Sequence, residues 1–356
     1  MIDRYAADQT WQWNVDHAPS VGVRRNPTAV PGTWRWCGLP TASPLGIPAG
    51  PLLNSAWLLY YANLGFDILV YKTVRSRVRD CYPIPNLVPV EVGQFSTAGA
   101  VLQATSAPSK TWAVSFGMPS QLPDVWRQDV QTAREGLSNG QVLVVSVVGT
   151  QDESVTDPEA SLEQLADDFA RCAAWAADSG AHGVEANFSC PNVCTADGQL
   201  FQHPEHAGFV AERIRSRIGS TPLVLKIGRV TETADAERLL HSVGPFINGI
   251  AVTNSIAARV QADSGELLFD GQPRGICGDA IREACLDQVR LFRQVIDRRA
   301  ASAGHPRPDL IGVGGISTAD HVRDYLTAGA DSVGLATAVM QNPEVGLQIR
   351  SALGNA

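Results

Sequence analysis

The feature that most constrains this chain is a recurrence. From about residue 44 onward, short apolar runs alternate with helical stretches. The runs are LGIPA (45–49), ILVYK (68–72), LVVSVV (143–148), GVEANFS (183–189), LVLKIG (223–228), GIAVTN (249–254), DLIGVGG (309–315) and SVGLAT (332–337). Each is nearly continuous in apolar side chains, as parallel strands covered by helices require. ASLEQLADDFARCAAWAADSG carries apolar residues at i, i+3 and i+4, with Gly180 placed to end the helix. DAIREACLDQVRLFRQVIDRR and TADHVRDYLTAG repeat the helical period. Eight such runs favour an α/β fold of the (β/α)₈ TIM-barrel type over an open doubly wound sheet.

Two segments exceed the bare repeat. Residues 1–43 are rich in tryptophan and proline (Trp11, Trp13, Trp34, Trp36) and are expected to form an N-terminal arm packed on the barrel's outside or bottom. The barrel then occupies 44–356. Residues 74–141 are too long for one crossover and contain a further strand-like stretch, WAVSF (112–116), so an elaboration over the C-terminal face is expected. The formal charge is −8 with scattered Lys and Arg, which excludes the basic stripe of a nucleic-acid binder. Seven cysteines, an odd number without a C-x-x-C pair, give no disulfide framework and no zinc or iron–sulfur signature. The histidines form no H-x-H or H-x-x-x-H pair, so no metal site is expected. MIDRYAADQTWQW lacks the apolar core of a signal peptide, and no apolar run nears the roughly 20 residues of a membrane span. A cytoplasmic protein is the expectation.

Barrel active sites collect at the C-terminal strand ends. Polar and reactive residues gather there: Lys72, Asn187 through Asn192, Lys226, Asn254 and Ser255, Gly314 and Gly315, and Thr337. In NFSCPN (187–192) the residue before proline is biased away from helix, which suits a loop projecting the Cys190 thiol over the mouth. A thiol of pKa about 8.5 can exchange protons near neutrality if its surroundings help. Asn187 and Asn192 offer carboxamides to both edges of a flat polar ring. A structural cysteine beside an Asn–Pro turn is the plainer alternative. Lys226 inside PLVLKIG needs a partner if buried; a strand-end ion pair or a Schiff-base nucleophile of an aldolase-type barrel would also place it there. GVGGIS (312–317) reads as a phosphate loop whose backbone N–H groups and following helix N-terminus face an anion.

The ordered set of motifs resembles the dihydroorotate dehydrogenases and the related catalytic domain of dihydropyrimidine dehydrogenase. It comprises PAG (48–50), LGFDILVYKT (64–73), NFSCPN, LKIG at Lys226, VTNS (252–255), GICG (275–278), GVGGIS and GADSVGLAT (329–337), across roughly residues 44–345. The resemblance implies an FMN-dependent oxidoreductase acting on CH–CH bonds, passing hydride to flavin N5 with Cys190 as base. It further implies that Ala49, Gly50, Lys72, Thr73, Lys226, Gly278, Gly314, Gly315, Ala336 and Thr337 bind the cofactor. Lys72, Asn187, Ser189, Asn192, Asn254 and Ser255 would bind the substrate. Lys226 would face the flavin edge where negative charge gathers on reduction. A cysteine at 190, where the quinone-linked branch has serine, points to the soluble class 1 branch, commonly homodimeric.

The family pattern is broken in places. Its NSxGLPN stretch appears as VSFGMPS (114–120), so Val114 replaces a substrate-binding amide. Ala336 stands where glycine is usual, Leu53 where the quinone-linked branch has lysine, and Arg274 where glycine precedes GICG. Oxidation of dihydroorotate to orotate in pyrimidine biosynthesis is the first expectation. A related flavoenzyme acting on another dihydropyrimidine or an enone-like ring stands beside it, with the aldolase and a non-catalytic flavin-binding module as readings of other classes. The substrate is expected to be small, planar and polar, and the electron acceptor fumarate, oxygen or a partner subunit.

Overall fold

The computed structural model describes every residue except 1–3, 21, 23–24, 153, 190–198, 304–305 and 356. The apolar runs form a closed, all-parallel barrel of eight strands among the described residues: β1 (Leu45–Ile47), β2 (Ile68–Val74), β3 (Val142–Val147), β4 (Gly183–Asn187), β5 (Leu223–Lys226), β6 (Gly249–Val252), β7 (Asp309–Val313) and β8 (Ser332–Gly334). β8 returns to β1 through Val333–Leu45 and Gly334–Gly46. The (β/α)₈ expectation therefore holds. All residues of β2 and β3 are buried, one face inside the barrel and the other against helices. Ile68, Val70, Val142, Val144, Val224, Ala251, Ile311 and Val313 fill the interior. Side chains alternate along a strand, so the next inward positions on β2, β4 and β5 are Lys72, Asn187 and Lys226. Apart from Glu185 on β4, apolar filling below and polar groups at the top are thus one pattern.

Two of the helices start at side-chain caps that their sequences supply. Asp157 caps Pro158–Asp178 by accepting from Ala160 N at 2.8 Å, and Gly180 follows its end with φ 94°. Thr318 caps Ala319–Thr327 by accepting from His321 N at 3.2 Å.

Below the barrel, the hairpin Trp34–Trp36/Leu39–Thr41 brings Trp36 into the interior cluster. Gly183 lacks a Cβ where that indole ring lies, 2.6 Å from the position a Cβ would take. The helix Trp11–Asp16 is tied to Ser55–Ala62, since Trp57 Nε1 donates to Asn14 O at 2.7 Å and Asn54 Nδ2 to Val15 O at 3.0 Å. The C-terminal helix Val345–Gly354 is anchored by Arg350, whose guanidinium meets Asp67 at 2.8 Å with both side chains 4% exposed.

Over the C-terminal face lies a second, smaller closed sheet. Leu87–Glu91, Val101–Ala104 and Thr111–Val114 leave from the end of β2, and Ile256–Gln261 and Arg274–Gly278 from the end of β6. The WAVSF stretch is its Thr111–Val114 strand, paired in register with Arg274–Gly278. The β6 contribution goes beyond the sequence pattern, in which GICG (275–278) is a glycine-bearing motif and not a strand. Its partner strand IAARVQ buries Ile256, Ala258 and Val260 in strict alternation, but six residues with two alanines give a faint signal until the opposing strand is known.

Candidate active site

Lys226 ends β5 at 4% exposure, and its Nζ donates to Ala49 O at 3.5 Å, joining the top of β5 to the loop after β1. Cys277, on the overlying Arg274–Gly278 strand, senses the same ammonium. Burial pushes its thiol up to about 11, with Lys226 pulling the other way. Lys72 on β2 is 8% exposed, and its backbone N–H donates to Leu52 O at 2.8 Å. Cys81 is likewise pushed up to about 11 by burial, with Lys72 and Asn86 opposing. Each lysine at the barrel mouth thus has a thiol of the overlying structure within electrostatic reach.

Asn187 closes β4 at 3% exposure. Its Oδ1 accepts from Ser189 N at 3.2 Å and from Ser189 Oγ at 2.8 Å, and its Nδ2 points at Met118 Sδ, 3.4 Å away. Ser189 therefore fixes which way the carboxamide faces. A thioether is a weak acceptor, so the Nδ2 donors keep most of their capacity. Met118 belongs to the VSFGMPS loop and sits at φ 54°; that loop reaches from the small sheet to β4.

A cavity of about 240 Å³ opens between the ends of β7 and β8 and the small sheet. Asn254, Gly278, Gly314, Gly315, Ala336 and Thr337 line it, with Cys277, Ser317, Thr318, Gln341 and Lys110. Gly278, Gly314 and Gly315 have φ of 106°, 130° and 66°, which side chains rarely tolerate. A Cβ would also strike the Lys110 carbonyl at Gly278, the Cys285 thiol at Gly314 and the Arg282 Cβ at Gly315. The wall is therefore bare backbone, and the N-terminus of Ala319–Thr327 begins at its rim. Backbone N–H groups, hydroxyls and a helix dipole are the donor set a phosphate monoester takes, and Lys110 meets the cavity through its backbone carbonyl beside Gly278. The residues present fit the phosphate end of FMN. Lys110 was missed by the sequence reading, since a lysine in a Ser-Lys-Thr turn carries no motif and only the folding-over of the small sheet brings it there.

The other expected residues distribute as follows. Gly50 lies in the loop after β1. Thr73 Oγ1 pairs with Ser146 Oγ at 3.0 Å rather than lining the cavity. Ser255 packs its hydroxyl against Gly275, on the seam with the small sheet. Cys190 and Asn192 lie outside the described residues. Val114 pairs with Gly275 across the small sheet. Arg274 donates from Nε to Ser115 Oγ at 2.7 Å and lies over the rings of Tyr82 and Phe269 at 5.4 and 5.1 Å. Leu53 is buried.

The family model described as dihydroorotate dehydrogenase matches residues 35–356. Dihydroorotate dehydrogenase of Dictyostelium discoideum is 31% identical over 366 residues, covering 97% of this chain and 95% of the relative. Catalytic subunits of dihydroorotate dehydrogenase B (NAD(+)) match over shorter spans. That of Solidesulfovibrio magneticus is 31% identical over 53% of this chain and 58% of its own length. That of Staphylococcus carnosus is 27% identical over 46% and 49%.

Proposed function

The chain belongs to the dihydroorotate dehydrogenase family, oxidoreductases acting on CH–CH bonds, and on that premise we propose that it is an FMN enzyme oxidising dihydroorotate to orotate in pyrimidine biosynthesis. The observation that carries the reading is the glycine-walled cavity, joined to Lys226 through Cys277, which lines the one and senses the other.

FMN, when bound, supplies the hydride acceptor. Gly278, Gly314, Gly315 and Thr337 would hold its phosphate, with Ala49, Gly50 and Ala336 as flanking backbone. Lys226 supplies an ammonium, already withdrawn from water, against the negative charge that reduction adds. Lys72 provides a second cation shared with the substrate. Asn187, turned by Ser189, and Asn254 would present amides to a flat polar ring, a role that the family resemblance extends to Asn192 and Ser255. Cys190 takes the proton from the carbon next to the one losing hydride, so one C–H pair leaves as proton and hydride and a C=C bond forms.

Val114 favours a second reading. Losing one amide from a buried polar site costs on the order of 1–3 kcal/mol, so another dihydropyrimidine or an enone-like ring is the alternative substrate. Anaerobic addition of each compound to the purified protein separates these: the true substrate bleaches the flavin, and failure of dihydroorotate to do so overturns the first reading. A small oxidant such as fumarate or oxygen is the proposed acceptor and a homodimer the proposed assembly. Among the described residues no helix is long and apolar enough to cross a membrane.

A further inference from the structure

The inner face of β4 carries Gly183, Glu185 and Asn187, and its middle residue is a carboxyl group in an otherwise apolar wall. Glu185 is 3% exposed. It adjoins a cavity of only about 20 Å³, shared with Pro48, Val70, Val144, Val224 and Val313, which has room for about one water. Its Oε1 has no hydrogen-bond partner among the described residues. A carboxylate held this way is costly unless opposite charge faces it, and an apolar side chain of similar volume would build the same barrel at lower cost.

The opposite charge stands one inward step higher. The β4–β5 register pairs Glu185 with Val224 and Asn187 with Lys226, making Lys226 the diagonal neighbour of Glu185 on the same inner face. Two residues of rise and one strand spacing separate their Cα atoms by about 8 Å, so the two charges act on each other across a gap and not as a bonded pair. Glu185 Oε1 has no partner among the described residues, and Lys226 Nζ donates to Ala49 O. Lys226 is itself buried, and its bond to Ala49 O, at 3.5 Å, is long. On the other flank, Ser146 of β3 is the register partner of Glu185.

We propose that Glu185 is a positioning residue for the redox site: its buried carboxylate steadies the Lys226 ammonium and offsets part of its charge, and so sets the reduction potential of the bound flavin. This rests on the reading of the mouth as a flavin site. A carboxylate beside Lys226 leaves less net positive charge than Lys226 alone, so reduction, which adds negative charge, is less favoured.

The test is the midpoint potential of the FMN-loaded protein by anaerobic dye equilibration. Glu185→Gln keeps the volume and removes the charge. It is expected to raise the ratio of reduced to oxidised flavin at fixed potential about tenfold, roughly +30 mV for a two-electron couple. Glu185→Asp keeps the charge but draws it back one methylene, and is expected to give a smaller rise. A merely structural glutamate would move melting temperature and not potential. An unchanged or lowered potential in Glu185→Gln with flavin bound overturns the inference and leaves the flavin reading intact. If Glu185→Gln does not fold, Glu185→Asp decides alone, an unchanged potential overturning the inference. A wild-type protein that takes up no FMN overturns the flavin reading, and this inference with it.

Discussion

Replacing Lys226 by methionine keeps most of the side chain's length and apolar stem but removes its charge. The residue is 4% exposed and reaches the Ala49 carbonyl across the top of the barrel, so bulk water screens it little. At an effective dielectric constant of about 20, a unit charge acting over about 4–7 Å contributes roughly 2.5–4 kcal/mol. Spread over two electrons, that predicts a midpoint potential lower by roughly 50–90 mV. The assay is reductive titration of the reconstituted protein against a reference dye under anaerobic conditions, with flavin stoichiometry measured on the same sample. Full occupancy with an unmoved potential would refute the placement of this ammonium against the flavin. The same preparations address the aldolase alternative: borohydride with a carbonyl compound should leave Lys226 unmodified, and a reduced adduct on it would reverse the assignment.

Cys190→Ala should retain FMN yet slow flavin reduction by dihydroorotate by about 10²–10⁴-fold in a stopped-flow experiment, and an unaltered rate would remove the thiol from the chemistry. Val114→Asn, which restores the missing amide, should tighten dihydroorotate binding by about 5- to 100-fold if that ring is the substrate; weaker binding would favour the alternative ring. Arg350→Met leaves Asp67 buried without its cation and should cost about 3–5 kcal/mol in thermal or denaturant unfolding. The sign of its pH dependence follows from Asp67, whose carboxyl is raised by burial, with Arg350 and then Ser43 pulling it down. Without Arg350 the folded-state pKa rises further, so the loss should be largest at neutral pH and shrink as acid protonates the group. A loss independent of pH would show that Asp67 is not the cause. Lys226→Met should also shrink the effect of Glu185→Gln on the potential, because the two charges are coupled; full additivity would contradict their pairing.

The barrel was legible in the chain because its signal is local. A strand buried on both faces must be apolar at nearly every position, as ILVYKTV and VLVVSV are, and period two then carries Lys72, Asn187 and Lys226 to the inner rim without further information. The glycines of GVGGIS were legible for the same reason: a backbone that turns at positive φ against a neighbouring side chain admits nothing larger. What only the tertiary structure decided is nonlocal. That Arg274–Gly278 would pair with Thr111–Val114, and so carry Cys277 above Lys226 and Lys110 onto the glycine cradle, depends on two insertions more than a hundred residues apart finding one register. No residue within either insertion encodes its partner. Glu185 is the sharpest case: in GVEAN it reads as one acid in an apolar run. Closure of β4 against β5 is what buries its carboxylate in an apolar wall, one step below an ammonium, because register is a property of the closed sheet and not of either strand.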